Sequence, residues 1–260
     1  GILEHLEPAG VHSGDSTAVI PPYSVGEEML KEIEEKSKKL ALGLNVKGLL
    51  NIQFAIKDEE LFILEANPRA SRTMPFVAKV TGNQIIKAGT LLMLGYSIDE
   101  VRNKTKYLSS SSNKVAIKKA IFPWSRFPAE DTMLGPEMKA TGEVLGVGKE
   151  FGTALNKAYA AAGVEINNKE KGIFVTLSDS EKPNFIKTVN KYLELGFTLY
   201  STEGTGKFLK TNGIDSVIVG KADDLGQTSL TIIEDKLVSL VINTPTYANE
   251  LSDGWKIRRL

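Results

Sequence analysis

Residues 49–69 of this 260-residue chain have the sequence LLNIQFAIKDEELFILEANPR. Two apolar runs, Leu49–Ile56 and Leu61–Asn67, are joined by polar residues 57–60, a pattern that predicts a β-hairpin. We expect Lys57 to pair with Leu61 around a three-residue turn. A shift of this register by one residue would mix apolar and polar side chains on both faces, so the sequence favours this pairing.

The predicted register places four polar side chains on one face, with Gln53 opposite Glu65 and Asn51 opposite Asn67. The other face then carries only apolar side chains: Leu50, Ile52, Phe54, Ile56, Phe62, Leu64 and Ala66. Residues two apart on a strand point the same way, so Glu65 and Asn67 present their oxygen atoms together. Such oxygens suit a hard cation such as Mg²⁺; the alternative is the solvated polar face of an ordinary antiparallel sheet.

Two arginines, Arg69 and Arg72, follow directly after the hairpin. Guanidinium groups bind anionic oxygens in a bidentate manner, and negative charge develops on such oxygens during phosphoryl transfer. The hairpin and the arginines together therefore favour a site for a metal and a phosphate over a plain polar face.

The residues around the hairpin predict further helices and a strand. Apolar residues at helical spacing predict a helix over Ser24–Gly43, with its first residue as N-cap, and a helix over Pro75–Gly95 interrupted at Gly82. A strand is expected over Lys114–Phe122 and a helix over Phe151–Gly163.

The pattern changes after the polar, linker-like residues 165–171. Strands are expected at Gly172–Leu177, Phe197–Ser201, Ser216–Gly220 and Ser239–Thr244, with a helix over residues 181–195. Such alternation of strands and helices indicates a parallel sheet with right-handed crossovers. We therefore predict two domains of α/β and α+β character, residues 1–163 and residues 164–260.

Composition narrows the class of protein. Hydrophobic residues make up 42% and charged residues 25% of the chain, as in soluble globular proteins. Basic and acidic residues each number 32, so neither nucleic acid nor a membrane surface is an expected partner. No apolar run approaches the ~18 residues of a transmembrane helix, and the lack of cysteine fits a reducing, cytoplasmic location. The chain begins without a methionine, so we expect it to start inside a longer protein.

Three strings carry a family resemblance: residues 4–16 (EHLEPAGVHSGDS), Gln53 with residues 65–76 (EANPRASRTMPF), and residues 134–148 (LGPEMKATGEVLGVG). In colinear order they resemble the second synthetase half of the carbamoyl phosphate synthetase large subunit. EANPR alone also resembles biotin-dependent carboxylases, but the RASRT continuation differs from theirs. The resemblance implies the C-terminal portion of an ATP-grasp domain, followed by a smaller parallel-sheet domain of the methylglyoxal-synthase-like type.

The resemblance implies a role for each matched residue. Mg²⁺ or Mn²⁺ would be held by Gln53, Glu65 and Asn67, and K⁺ by His5 and Ser16. The nucleotide would be bound by Val11, His12, Ser13, Gln53 and Glu65. The catalytic residues would be Arg69 and Arg72, which would bind phosphate or carbamate oxygens. The implied reaction is phosphorylation of carbamate by ATP to carbamoyl phosphate, for arginine and pyrimidine biosynthesis. Implied partners are the remainder of the large subunit and a glutaminase small subunit that delivers ammonia for carbamate formation.

The second domain resembles the methylglyoxal-synthase-like allosteric domain of the same subunit. Threonine hydroxyls, glycine NH groups and lysine ammoniums at strand ends suit a phosphate pocket, although the same residues also occur in ordinary strand-end turns. The resemblance implies that a nucleotide monophosphate such as UMP binds here as an effector. The residues concerned are Lys182, Thr202, Thr205, Lys221 and Asn243.

Four departures from the family pattern limit these expectations. The family's ATP lid would precede the first residue, so this chain alone is not expected to catalyse, and the family's allosteric domain continues past the last residue. Lys119 stands where the family often has a glutamate that binds the amine of ornithine, which argues against ornithine activation although Glu7 and Asp15 match other ligands. Pro245 replaces a pocket threonine and lacks both hydroxyl and NH, which weakens the expectation of UMP binding.

Two other functions remain open from the sequence. The chain could serve as a regulatory module that binds a nucleotide monophosphate, with the metal-binding residues merely inherited. It could instead belong to another ATP-grasp ligase, such as a carboxylase. The allosteric type of the second domain argues against the carboxylase.

Overall fold

The computed structural model of this chain describes residues 1–106, 114–127, 130–164, 172–244, 253–258 and 260. The predicted linker 165–171 and Pro245 lie outside these residues. One unit consists of Gly1–Pro123 and Leu134–Val164, and the other of Trp124–Met133 and Glu165–Leu260. The second unit therefore includes a segment that precedes position 164 in the sequence. In the described part of the chain, every helix is too short or too polar to cross a bilayer.

The first unit combines a four-stranded sheet, a separate hairpin and five helices among its described residues. In chain order its elements are β1 Glu4–His5, β2 Ala18–Ile20, α1 Glu27–Gly43, β3 Asn51–Lys57, β4 Glu60–Asn67, α2 Thr73–Thr81, α3 Ile85–Met93, α4 Ile98–Lys104, β5 Val115–Ile121, β6 Gly142–Gly148 and α5 Phe151–Ala161. The antiparallel sheet has the order β1-β2-β5-β6, and within the described ranges β3 pairs with β4 alone. Helix α5 packs on this sheet, where Val19, Ile117, Ala154 and Ala158 form a fully buried core.

The hairpin closes with a tighter turn than the sequence predicts. Lys57 pairs with Glu60, not with Leu61, so the prediction of a three-residue turn is wrong. The two turn residues, Asp58 and Glu59, have positive φ values of 51° and 63°. Positive φ at both central residues is the backbone of a type I′ turn, which matches the twist of the flanking strands. Neither residue is the glycine that usually signals this turn.

The polar pairs of the hairpin are those predicted: Gln53 lies opposite Glu65, and Asn51 opposite Asn67. The register shifts by one residue just beyond Gln53, and this bulge absorbs the difference between the predicted and the observed turn. As a consequence Leu64 lines a cleft beside Gln53 and Glu65, and Phe62 pairs with Ala55. The prediction that Leu64 and Phe62 lie on the apolar face with Phe54 and Ile56 is therefore wrong, because successive residues of a strand point to opposite faces.

Helix α1 begins at Glu27, so the prediction that Ser24 is its N-cap is also wrong. The Ser24 NH and hydroxyl, together with the Tyr23 NH, instead donate to the carboxylate of Glu4. The predicted interruption of the next helix is confirmed, because α2 ends before Gly82, which has a φ of 71°.

The second unit is built on a parallel sheet of order β10-β7-β8-β9, which confirms the predicted sheet type. Its elements are β7 Gly172–Thr176, α6 Lys182–Glu194, β8 Leu199–Thr202, α7 Glu203–Thr211, β9 Val217–Val219, α8 Ser229–Glu234, β10 Val238–Asn243 and α9 Asp253–Arg258. Successive residues of β7 pack into two separate hydrophobic clusters. Ile173 and Val175 belong to one cluster, and Phe174 belongs to the other. Arg258 of α9 binds both carboxylate oxygens of Asp131, at 2.8 and 2.9 Å, and so attaches residues 124–133 within this unit.

Candidate functional site

A cleft in the first unit joins the loop after β1 to the hairpin. Its lining residues are Ala9, Gly10, Val11, His12, Ser13, Gln53, Leu64, Glu65 and Pro136. All five residues predicted to bind the nucleotide therefore line one cleft, although they come from two separate parts of the sequence.

The hairpin presents the three oxygen-bearing side chains predicted to hold a divalent metal. Glu65 is exposed, and Gln53 and Asn67 are half-buried. Within the described residues, none of the three side chains makes a hydrogen bond or an ion pair, so their oxygens are available to a ligand. Groups of three or more His, Cys, Asp or Glu side chains that could hold a metal are also absent from the described residues. One carboxylate with two amide oxygens fits Mg²⁺, which binds through one or two carboxylates plus phosphate oxygens and water.

Backbone hydrogen bonds hold the cleft loop in place. The His12 NH donates to the Gly135 carbonyl at 2.8 Å. The fully buried Asp15 carboxylate accepts from the NH groups of Lys139 and Ala140, at 2.8 and 2.9 Å. Sequence reasoning considered Asp15 only as a match to an ornithine ligand and missed this structural role. A carboxylate among glycine-rich loops gives no signal of its distant partners.

Arg72 reaches the cleft loop, whereas Arg69 does not. Nη2 of Arg72 lies 2.5 Å from Sδ of Met138. A Cβ atom at Gly14 would lie 2.5 Å from the same Nη2, so glycine leaves the space that this guanidinium occupies. The exposed Arg69 donates to the Ala70 carbonyl at 3.1 Å. Neither arginine is among the residues that line the cleft.

His5 and Ser16, predicted to bind a monovalent cation, lie at the base of the same loop. Ser16 is fully buried, and its hydroxyl donates to the His12 carbonyl at 3.2 Å. His5 is half-buried on β1. Burial, and then the ammonium of Lys118, lower the pKa of His5 to about 4. The ring is therefore neutral near pH 7.

This pKa predicts a dependence of stability on pH. The unfolded chain takes up a proton at His5 near pH 6.5, whereas the folded chain does so only near pH 4. The unfolded state thus binds more protons between these values, so the free energy of unfolding should fall as the pH is lowered from about 6.5 to about 4. Urea denaturation across this range should show a shallower pH dependence for His5→Gln. An identical slope in both proteins would contradict the assignment.

The residues matched to ornithine ligands are engaged with the protein. Glu7 accepts from the NH of Thr17 at 2.6 Å and from its hydroxyl at 2.8 Å. The ammonium of Lys119 lies 3.5 Å from the same hydroxyl and 4.8 Å from the centre of the Tyr159 ring. The ammonium of Lys119, the residue that argues against ornithine activation, therefore lies beside the hydrogen-bonded pair of Glu7 and Thr17.

In the second unit, three of the five predicted effector residues, Thr202, Thr205 and Asn243, lie near the carboxyl ends of the parallel strands. The Thr202 hydroxyl lies 3.3 Å from that of Thr176 and 3.5 Å from that of Thr205. Asn243 is the pairing partner of Thr176 on the adjacent strand. Lys221 is exposed two residues beyond β9. These strand ends therefore present several hydroxyl groups together, beside the N-terminus of α7.

Sequence reasoning missed part of this cluster. Thr176 ends β7, and the Ser178 NH donates to the Thr244 hydroxyl at 2.8 Å. Lys182, one of the predicted effector residues, binds the Asp179 carboxylate through its ammonium at 2.5 Å. Hydroxyl residues at strand ends are the signal that selected Thr202, and the same signal would have found Thr176 and Thr244.

Two family models match the sequence. One, described as Carbamoyl-phosphate synthase L chain, ATP binding domain, matches residues 3–101. The other, described as MGS-like domain, matches residues 184–260. The first match contains the cleft loop and the hairpin, and the second contains most of the hydroxyl cluster.

Curated relatives match the chain from end to end. The carbamoyl phosphate synthase large chain, C-terminal section, of Aquifex aeolicus is 42% identical over 99% of this chain and 50% of its own length. The protein of the same name from Methanocaldococcus jannaschii is 41% identical over 99% of this chain and 43% of its own length. The carbamoyl phosphate synthase large chain of Archaeoglobus fulgidus is 44% identical over 100% of this chain and 24% of its own length. The chain thus spans half or less of the length of these relatives.

Proposed function

Because this chain belongs to the carbamoyl phosphate synthase large-chain family, we propose that it supplies the C-terminal part of an ATP-grasp site that phosphorylates carbamate. The observation that carries the proposal is the cleft in which the loop Val11–Ser13 faces Gln53 and Glu65. The loop would run along the nucleotide, and the hairpin would hold Mg²⁺ or Mn²⁺. When bound, the metal neutralises charge on the ATP phosphates.

The residues of this chain would act mainly by positioning and by electrostatics, which dominate catalysis of phosphoryl transfer. Glu65 supplies the single carboxylate of the donor set, and Gln53 and Asn67 supply neutral oxygens. Arg72, whose guanidinium lies next to Gly14 of the cleft loop, would bind oxygens of the transferred phosphoryl group or of carbamate. The hydrogen bonds of Asp15 keep the loop preformed, so less ordering is required when the nucleotide binds.

The remaining ligands and partners belong to the same proposal. K⁺ would bind near His5 and Ser16. The Ser16 hydroxyl donates a hydrogen bond to the backbone carbonyl of His12, so the lone pairs of its oxygen could face a cation. The rest of the large chain would supply the other part of the ATP site. A glutaminase small subunit would supply ammonia for carbamate, in arginine and pyrimidine biosynthesis.

The reverse reaction tests this proposal directly. A large chain assembled with this section is expected to form ATP from carbamoyl phosphate and ADP in the presence of Mg²⁺. Luciferase detection of ATP measures this without the glutaminase. An assembled, folded large chain that makes no ATP would contradict the proposed function.

A second role, regulation by a nucleotide monophosphate such as UMP, is supported by the hydroxyl cluster of the second unit. Thr202 and Thr205 lie at the first turn of α7, where helix NH groups favour an anion. Thr205 is almost fully buried and its hydroxyl already accepts from the Leu177 NH, so it also has a structural role. Thr202 is less buried and better placed to contact a phosphate.

Replacing Thr202 with valine tests the regulatory role. The loss of one hydroxyl facing a charged phosphate should weaken UMP binding by about tenfold. Isothermal titration calorimetry measures the change. The matched control is Thr211→Val, at the other end of α7, where the hydroxyl only donates to the Lys207 carbonyl. Equal affinities in the wild type and both variants would remove Thr202 from the effector site.

A further inference from the structure

Lys118 is a buried lysine with no role in the proposed reaction. It lies on β5 and is only 2% exposed. A buried ammonium is unfavourable unless polar groups replace its hydration, so its partners are informative. Its Nζ donates to the Ser13 carbonyl at 3.1 Å and lies 3.7 Å from Oε2 of Glu143. Of these two partners, Ser13 belongs to the nucleotide cleft.

The charges around Lys118 are balanced within the first unit. Burial lowers the pKa of Lys118, whereas the carboxylate of Glu143 raises it. The nearby Arg72 also lowers this pKa, and Glu7 raises it. Glu143 thus accompanies the ammonium as its main counter-charge, while the hydrogen bond is directed at the Ser13 carbonyl.

The peptide group between Ser13 and Gly14 is held at both ends. Lys118 binds its carbonyl oxygen, and its NH, which belongs to Gly14, donates to Nδ1 of His12 at 3.0 Å. Because the peptide group is planar, fixing the carbonyl also fixes the direction of the NH. Nδ1 of His12 accepts this bond, so the neutral ring carries its proton on Nε2. The ring of His12 is thereby oriented where the residue lines the cleft.

We propose that Lys118 is a positioning residue of the nucleotide cleft, which fixes the Ser13–Gly14 peptide and, through it, the orientation and tautomer of His12. This role of Lys118 rests on the proposed function only in that the cleft is taken to bind a nucleotide. Lys119, the next residue on β5, provides the contrast, because its ammonium lies over the Tyr159 ring and 3.5 Å from the Thr17 hydroxyl, and makes no hydrogen bond to the Ser13–Gly14 peptide among the described residues.

Nitrogen-15 NMR of the histidine rings tests this chain of contacts. The chain has only two histidines, and His12→Asn identifies the signals of His12. In the full chain, His12 should be mainly the Nε2–H tautomer. Lys118→Met should reduce the ratio of this tautomer to the Nδ1–H form by about tenfold. The matched control, Lys119→Met, should leave the ratio unchanged. A folded Lys118→Met protein with the wild-type ratio would overturn the proposal.

A measurement on the unmutated chain covers the case in which Lys118→Met does not fold. The ammonium protons of Lys118 should exchange with water far more slowly than those of the exposed Lys31, because they are buried and hydrogen-bonded. Equally fast exchange at both lysines would show that the Ser13 carbonyl is not held, and would overturn the proposal.

Kinetics of the assembled large chain separate this proposal from the proposed function. Lys118→Met should raise the KM for ADP in ATP formation by about tenfold, with kcat changed less than about twofold. A shifted tautomer with an unchanged KM would overturn the link to nucleotide binding. If the wild-type assembly makes no ATP, the proposed function fails, while the NMR result still decides whether Lys118 positions His12.

Discussion

The Glu65→Gln variant of an assembled large chain should form ATP from carbamoyl phosphate and ADP more slowly than the wild type, by on the order of 10²–10³-fold. Glutamine keeps the shape of the side chain but removes the only carboxylate of the donor set formed with Gln53 and Asn67. A divalent metal would then lose the anionic ligand that this chain is proposed to supply, and the charge of the nucleotide phosphates would be less well neutralised.

The hairpin itself provides a matched control for this substitution. Glu60 is also an exposed glutamate of β4, but it pairs with Lys57 beside the turn and does not line the cleft. Glu60→Gln should retain wild-type activity. Manganese binding, followed by electron paramagnetic resonance, should weaken in Glu65→Gln only. Equal activities and equal manganese affinities in the two variants would exclude Glu65 as a metal ligand.

Gly146→Ala should destabilise the first unit more than any other change discussed for it. A Cβ atom at Gly146 would lie 2.2 Å from the Ala154 carbonyl oxygen and 2.5 Å from the Ala158 nitrogen. Both atoms belong to the backbone of α5 and cannot rotate away, so the helix must move from the sheet. Overpacking of this kind should lower the free energy of unfolding by on the order of 3 kcal/mol.

Gly142→Ala, on the same strand, is the control, because its nearest neighbour is a side-chain atom at 3.9 Å. Guanidinium denaturation followed by far-ultraviolet circular dichroism measures both variants. Both tryptophans, Trp124 and Trp255, belong to the second unit, so their fluorescence reports that unit separately. A Gly146→Ala protein as stable as Gly142→Ala would contradict the close packing of α5 on β6.

Local patterns in the sequence predicted much of the secondary structure. Apolar and polar residues alternate on either side of a short polar segment, which identified the hairpin and the pairs of Gln53 with Glu65 and Asn51 with Asn67. The exact turn was not predictable from composition, because Asp58 and Glu59 adopt a positive φ that usually calls for glycine or asparagine. Ser24 likewise has a side chain that is common at an N-cap, but its NH and hydroxyl donate to the carboxylate of Glu4 on β1.

The sequence by itself determined the hairpin, the parallel sheet and the types of oxygen donor in the candidate site, because these follow from neighbours along the chain. Only the tertiary structure decided which loops meet. Lys118 binds the carbonyl of Ser13 across 105 positions of sequence, and Asp15 binds the NH groups of Lys139 and Ala140 across 124 and 125. Periodicity describes the faces of a single element, whereas contacts over such separations depend on how the sheet and its loops pack. The candidate metal donors were therefore visible in the sequence, but the buried lysine and aspartate beside the cleft were not.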